Sequence, residues 1–275
     1  MENSKLKVGL LGATGRMGKL ICQTINSDKK LNFFIHLGHS RTQKNLMINE
    51  EININLTKNL DEVFKSCDVI VDFSHAQVID DVLNLNVIYL KPLIICSTGW
   101  EKTDERNDKI KQIANIAPIL ISTNTSLGSN LQSLICEMMA KILPSEYQID
   151  LIEKHHDQKI DIPSGTACTL IEAIKNGKKG KQIAQHLTQE KLNHGQLTHG
   201  PRPQNFISVS AIRSGNLPGE HEVSFTSNME LISIKHIAYN RQLFASGLVK
   251  IIEFLTQKNL PPKNYNMKDV LQNYF

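Results

Sequence analysis

Aromatic residues are scarce in this chain, 5% of 275 with a single Trp, and none interleave with a run of basic residues. Stacking on bases along a positive stripe is therefore not expected, and the net charge of only +4, from scattered Lys and Arg, points away from nucleic acid as a partner. No stretch reaches the roughly eighteen apolar residues of a spanning helix, and no early apolar run has a signal peptide's charged flank and cleavage site. No membrane role is expected. CxxC and HExxH spacings are both missing, and adjacent histidines are poor partners for one metal, so no metal site is expected either. The cysteines (22, 67, 96, 136 and 168) are odd in number, widely spaced and set in apolar surroundings. They read as reduced core residues of a cytoplasmic protein and not as a disulfide frame. Internal repeats and low-complexity tracts are lacking too.

Hydrophobic residues make up 40% and charged residues 21%, which excludes wholesale disorder and gives this length a real core, most simply in two domains. The most informative stretch runs from Glu153 to Thr166. It begins where the strand-like run Tyr147–Ile152 gives out and ends where a helix begins. Ser164 is the expected N-cap just after Pro163, with Ala167, Leu170, Ile171 and Ile174 at helical spacing behind it. Between them lie His155, His156 and Lys159. A helix mouth, here Ser164-Gly165-Thr166, offers backbone N–H groups and the positive end of the helix dipole, which favour an anion. An imidazole supplies a proton near neutral pH, and Lys159 a fixed positive charge or a second proton. The stretch therefore suits a site that binds and protonates a carboxylate-bearing substrate, against the plainer reading of a capped surface loop.

In the first half, the apolar run Lys5–Leu11 leads directly into Gly12-Ala13-Thr14-Gly15-Arg16-Met17-Gly18 and an apolar-periodic helix through Leu20, Ile21 and Ile25. Strand, glycine turn and helix form the setting of a dinucleotide-binding loop, where backbone approaches pyrophosphate closely at a helix N-terminus. Thr14 stands where the usual fingerprint has its second glycine, so a plain strand-to-helix turn is the alternative. The second strand, Asn32–Leu37, ends in His36-Leu37-Gly38-His39-Ser40-Arg41 without the carboxylate that would bind NAD ribose hydroxyls. Arg41 or His39 suits a 2′-phosphate, which tilts the cofactor towards NADPH over NADH. Strands at Asp68–Phe73, Leu93–Cys96 and Ile119–Ile121 alternate with helices at Ile79–Leu85 and Asp104–Ala117. They end in Ser74-His75, Ser97-Thr98-Gly99-Trp100 and Ser122-Thr123-Asn124-Thr125-Ser126. Small polar residues thus recur at the carboxyl edge, where open parallel sheets bind ligands.

A helix from about Ser129 to Leu143 leads into the second half. Residues 176–200 receive no firm structure. Strand-like runs follow at Ile207–Arg213, Glu222–Thr226 and Glu230–Ala238, joined by turns, then a helix Leu243–Leu255 and a tail Lys263–Leu271. The expected fold is α/β, a Rossmann-type parallel-sheet domain (1–126) followed by an α+β domain with a mixed sheet (127–240) and a closing segment (241–275). A sheet open on one face would be a natural subunit interface.

Taken together, the chain resembles the 4-hydroxy-tetrahydrodipicolinate (dihydrodipicolinate) reductases of diaminopimelate and lysine synthesis. The resemblance rests on GATGRMG at 12–18, VDFS at 71–74, STGW at 97–100, EKHHDQKIDIPSGTA at 153–167, IRSGNLPGEH at 212–221 and MKDVL at 267–271. It implies a homotetramer built on the second domain and a closing segment that packs on the first. It also implies that His155 is the general acid and Lys159 the second catalytic residue, with His156, Gly165 and Thr166 binding a cyclic dicarboxylate beside Ser164. Gly12, Ala13, Thr14, Gly15, Arg16 and Met17, the turn Cys96-Ser97-Thr98 and the turn Ser122-Thr123-Asn124-Thr125 match cofactor contacts. Cys96 and Thr125 depart from the family's frequent glycine and aromatic. The acidic residue near 38–39 of members that use NADH well is missing. On this reading the cofactor's hydride reaches ring carbon 4 and His155, as imidazolium, protonates the neighbouring carbon. A dinucleotide-sensing regulator, or another two-domain amino-acid dehydrogenase, would share the glycine loop but needs no HHxxxK…SGT stretch.

Overall fold

Strand β1 (Leu6–Leu11) is buried from Val8 onward, and the first of two structural units is arranged around it. The computed structural model describes residues 5–178 and 206–274, so most of the stretch 176–200 lies outside the described residues. The units divide after Leu127 and after Arg241, and the segment from Gln242 belongs to the first.

After β1 come α1 (Arg16–Ser27), β2 (Phe33–His39), β3 (Asn45–Met47), β4 (Asn53–Thr57), α2 (Leu60–Ser66), β5 (Val69–Asp72), α3 (Ile79–Tyr89), β6 (Leu93–Ile95), α4 (Asp104–Ala114) and β7 (Ile119–Ile121). The helices start where the chain supplies acceptors. Asn59 caps α2 through the Asp61 N–H, and Thr103 caps α4 through the Arg106 N–H. Both carry acidic residues in the first turn and a lysine in the last, in line with the helix dipole.

The second unit holds most of α5 (Leu127–Ile142), then β8 (Gln148–His155), α6 (Gly165–Gly177), β9 (Ile207–Arg213), β10 (Gly219–Thr226) and β11 (Leu231–Ala238). Its sheet runs β11-β10-β8-β9, antiparallel except for the parallel pair β8–β9. One face packs Ile149, Leu151, Val209, Val223 and Phe225 against Cys136 and Ala140 of α5 and Leu170, Ile171 and Ile174 of α6. The other face carries exposed Ile152, Ile212 and Leu231.

The chain then returns to the first unit with α7 (Gln242–Leu255), β12 (Asn264–Tyr265) and α8 (Met267–Gln272), whose start is a capping box between Asn266 and Asp269. The completed sheet has the order β12-β7-β6-β5-β1-β2-β4-β3 and is parallel apart from β3. Alternation sends Val8, Leu10, Val69 and Val71 to a core shared with α1, α7 and α8. It sends Leu11, Ile70, Leu93 and Ile95 to a second core under α2, α3 and α4. Each such aliphatic side chain contributes about 1.5–3 kcal/mol by leaving water.

Candidate active site

In the first unit, the turn after β1 is closed by backbone. Gly12 has φ +81, and a Cβ there would stand 2.4 Å from the Phe73 carbonyl oxygen, so only glycine fits. The Gly15 N–H donates to Gly12 O at 3.0 Å, and α1 then begins with no side-chain cap and no acidic residue in its first turn. Ala13 is wholly buried, while Gly15 and Arg16 are exposed. An uncapped helix mouth behind a turn with glycine at both ends, Gly12 and Gly15, fits the pyrophosphate of a dinucleotide.

The carboxyl ends of β5 and β6 are joined by Asp72, which has no exposed surface. Its Oδ1 accepts from the Ser74 N–H (2.8 Å) and hydroxyl, and its Oδ2 from the Ser97 hydroxyl. Burial, with Asp72 alongside, pushes the Cys96 thiol well above its ordinary pKa, so Cys96 is an inert thiol in this loop. Thr98 is exposed, and Trp100 Nε1 donates back to Ser97 O at 3.0 Å. In the turn after β7 the Ser122 hydroxyl donates to Asn124 O, and the Asn124 side chain accepts from the Ser126 N–H. The buried Thr125 hydroxyl donates to Phe244 O on α7 at 2.7 Å. Thr125 therefore spends its side chain on the fold, and Thr123 is the exposed member of the turn. At the end of β2 a Cβ on Gly38 would lie 2.5 Å from Leu56 Cδ2 and 2.8 Å from Ala13 Cβ, which leaves no room for an acid there. His39 is half-buried, its pKa lowered by that burial, and Arg41 is exposed.

In the second unit the sequence reading needs correcting. The strand does not give out after Ile152. It continues through Glu153, Lys154 and His155, with Leu151, Glu153 and His155 all facing inward. Likewise β10 begins at Gly219 and not at Glu222, which brings His221 into the sheet. Register then sets Arg213 of β9 beside His155 and His221 of β10 beside Glu153. Charged and polar residues on a buried strand face broke the apolar pattern without breaking the strand.

Glu153 is the hub. Its Oε1 accepts from Arg213 Nη2 at 2.8 Å and its Oε2 from the Ser164 N–H at 3.0 Å. The same Oε2 lies 3.6 Å from His221 Nε2 and 3.9 Å from His155 Nδ1. Burial pushes this carboxyl up, but hydrogen bonds from His221, Ser164 and Arg213 outweigh it and hold the group ionised, far below the usual carboxylate range. The Ser164 hydroxyl shares a 3.0 Å hydrogen bond with His221 Nε2 and accepts from the Ala167 N–H, capping α6. The two imidazoles meet edge to face, 5.0 Å between centroids.

His155 is buried, and its pKa falls to about 4. Loss of solvent is the main cause, with His221, Lys159 and Arg213 adding to it and Glu153 opposing. The imidazolium near neutral pH expected from sequence is thus not the resting form. After His155 the chain is zipped to the 214–217 turn: Ser214 N–H donates to His155 O, His156 N–H to Leu217 O and Asp157 N–H to Gly215 O. Lys159 pairs with Asp161 at 2.7 Å, and Arg213 Nη2 also donates to Asp161 O. The space above Gly165 is open, with nothing within 4 Å of where a Cβ would stand. His155, His156, Lys159, Ser164, Gly165 and Thr166 thus all lie on β8, the loop after it or the start of α6. Side-chain heteroatoms of Glu153, His155 and His221, one from each, all lie within 4.8 Å of one another. The Glu153 charge is already matched by Arg213.

One further expectation fails. Four cysteines are buried, but Cys168 is exposed on α6, because Ala167, Leu170 and Ile171 take the inward face.

Two family models, described as dihydrodipicolinate reductase N-terminus and C-terminus, match residues 6–125 and 128–271. The chain is 35% identical to 4-hydroxy-tetrahydrodipicolinate reductase of Clostridium novyi (strain NT), over 97% of this chain and 98% of that one. It belongs to the dihydrodipicolinate reductase family. The reductase of Alkaliphilus metalliredigens (strain QYMF) is 33% identical over 97% of this chain and 99% of its own. A solved dihydrodipicolinate reductase from Paenisporosarcina sp. TG-14, described as dipicolinate-bound, shares the fold. Its TM-score is 0.78 at 21% identity, covering 97% of this chain and 100% of that one. The dihydrodipicolinate reductase motif at 153–167 therefore sits on a strand end and a capped helix. Sequence reasoning missed Glu153, Arg213 and His221, whose signal was the inward alternation Leu151, Glu153, His155 together with the two polar ends of IRSGNLPGEH.

Proposed function

We propose that this chain catalyses the NAD(P)H-dependent reduction of 4-hydroxy-tetrahydrodipicolinate to tetrahydrodipicolinate, in diaminopimelate and lysine biosynthesis. The observation that supports the reading is that His155 and the Ser164-capped mouth of α6 meet at one buried carboxylate, Glu153, with Lys159 in the loop between them. The Gly12–Met17 backbone, Ser97, Thr98 and Thr123 would hold the nicotinamide dinucleotide, which when bound supplies hydride to ring carbon 4 of the dehydrated substrate.

The chain's own residues handle the dicarboxylate and the proton. The N–H groups at Gly165 and Thr166 receive one carboxylate, and Lys159, exchanging Asp161 for substrate, receives negative charge as well. His156 flanks this position. His155 is neutral in the free protein because burial disfavours its charged form. A dianionic substrate beside the ring reverses that balance, so substrate binding recruits the proton that His155 then delivers to the carbon next to carbon 4. The loaded site makes its own acid.

NADPH is the preferred cofactor on this reading, because Gly38 leaves no room for an acid and Arg41 is exposed just beyond β2. The first unit binds cofactor. The second binds substrate and assembles a homotetramer through the sheet face bearing Ile152, Ile212 and Leu231. Among the described residues no helix is long and apolar enough to cross a membrane, and five unpaired cysteines suit a cytoplasmic enzyme.

The test is loss of absorbance at 340 nm with substrate freshly generated by a coupled synthase, comparing NADPH with NADH. His155→Gln should lower kcat by about 10²–10⁴ with unchanged NADPH affinity. Lys159→Ala should lower kcat and raise the substrate KM. No turnover in the native protein with cofactor bound would overturn the assignment.

A further inference from the structure

Glu153 takes no part in the steps above, yet it is wholly buried beneath the residue that does. Two of its four neighbours fix it. Arg213 and the Ser164 N–H make hydrogen bonds of 2.8 and 3.0 Å to opposite oxygens, so the carboxylate cannot turn. The remaining two are imidazoles. His221 Nε2 is engaged by the Ser164 hydroxyl, whereas His155 Nδ1 is buried without a hydrogen-bond partner. A carboxylate oxygen stands 3.9 Å from it. That gap is too long for a hydrogen bond and short enough that a small movement of the ring makes one.

We propose that Glu153 is the positioning residue of the proton donor: clamped by Arg213 and the Ser164 amide, it turns His155 Nδ1 towards itself and strengthens its hold on a proton. Arg213 sets the limit on that hold. Nε2 is then the nitrogen that transfers the proton, on the side where Gly219 places no side chain; a Cβ there would stand 3.1 Å from Nε2. The charged and titratable groups facing the ring are Glu153 on its own strand, Arg213 from β9, His221 from β10 and Lys159 from the following loop. His236 of β11 lies behind His221. Of these only Glu153 favours the imidazolium; the three cations or potential cations oppose it.

This opposition gives a test by sign. Removing the anion with Glu153→Gln should make His155 titrate at lower pH, by about one unit, and removing the guanidinium with Arg213→Gln should make it titrate higher. A packing role alone would not produce opposite shifts. The reading is the nitrogen-15 and proton NMR titration of His155, assigned by the signals lost in His155→Gln, in the full chain without ligands. The kinetic consequence rests on the reductase reading: the alkaline fall of kcat should move down in Glu153→Gln and up in Arg213→Gln. The solvent deuterium isotope effect should grow in the former. Opposite NMR shifts without turnover in the native protein would sink the reductase reading and leave the Glu153 assignment standing. Shifts in one common direction, or none, overturn the assignment whatever the turnover. If circular dichroism shows Glu153→Gln unfolded, Arg213→Gln decides alone: an upward shift supports the proposal and an unmoved titration overturns it.

Discussion

The Ser97 hydroxyl donates to Asp72 Oδ2 across 2.6 Å, so that one buried carboxylate holds the ends of two neighbouring strands in register at the edge assigned to the cofactor. Asp72→Ala would leave the Ser74 N–H and the Ser97 hydroxyl without their acceptor. An unsatisfied group as buried as the Ser97 hydroxyl costs about 1–3 kcal/mol, and the half-buried Ser74 N–H less. The expected outcome is a lower urea midpoint together with an NADPH Kd raised about tenfold, by fluorescence titration, at unchanged substrate KM. A variant that loses stability but binds NADPH normally would limit Asp72 to folding.

Arg41 stands exposed beyond β2, next to a Gly38 that has no space for a carboxylate. A charge-assisted bond to a 2′-phosphate contributes roughly 1.5–3 kcal/mol. Arg41→Ala should therefore cut kcat/KM for NADPH by about tenfold or more and leave NADH almost untouched. Equal losses with both cofactors would argue against this role.

Ser164 serves two partners at once, capping α6 through Ala167 and engaging His221. Ser164→Ala should cost about 1 kcal/mol for the cap alone and lower Tm by a few degrees. Substrate KM should rise because the helix mouth frays. Ser164→Thr keeps the hydroxyl and should recover most of both, read by calorimetry and steady-state kinetics.

The His155 titration has a consequence for stability. Its folded pKa, about 4, lies below the ordinary value of 6.5, so the folded chain holds fewer protons than the unfolded one between those values. The stabilisation is complete above pH 6.5 and is lost as pH falls through about 4. Its size is about 3 kcal/mol at most, from 1.36 kcal/mol per unit. Urea midpoints measured from pH 7 to 4 should fall less steeply in His155→Gln than in the native chain. Parallel slopes would show that burial does not depress this group.

Much of the first unit could be read from sequence because parallel strands buried on both faces leave continuous apolar runs, as at β1, β5 and β6, with glycine or small polar residues behind them. The edge was not. Strands β3 and β4 and helix α2 lie among Asn, Thr and Glu residues whose pattern is too short to stand out, and two-residue β12 has no pattern of its own. In the second unit the helix cap at Ser164 was legible because capping is local. The Glu153, Arg213 and His221 cluster was not, because it is made by sheet register across 60 and 68 residues of chain. A buried ionised strand face also looks, in one dimension, like the end of a strand.

The first unit is written in two pieces, with the second unit inserted between them. During synthesis, β1, β2 and α1 leave the ribosome with one side of their sheet covered only by α1, because Leu248, Ile251, Ile252 and Val270 that complete the cover come from α7 and α8. The inserted unit can mature first, while the apolar face made earliest waits for the last thirty or so residues. A chain cut short before α7 would thus keep the whole Glu153, His155, Arg213 and His221 cluster and lose the helices that finish covering the sheet behind the glycine turn.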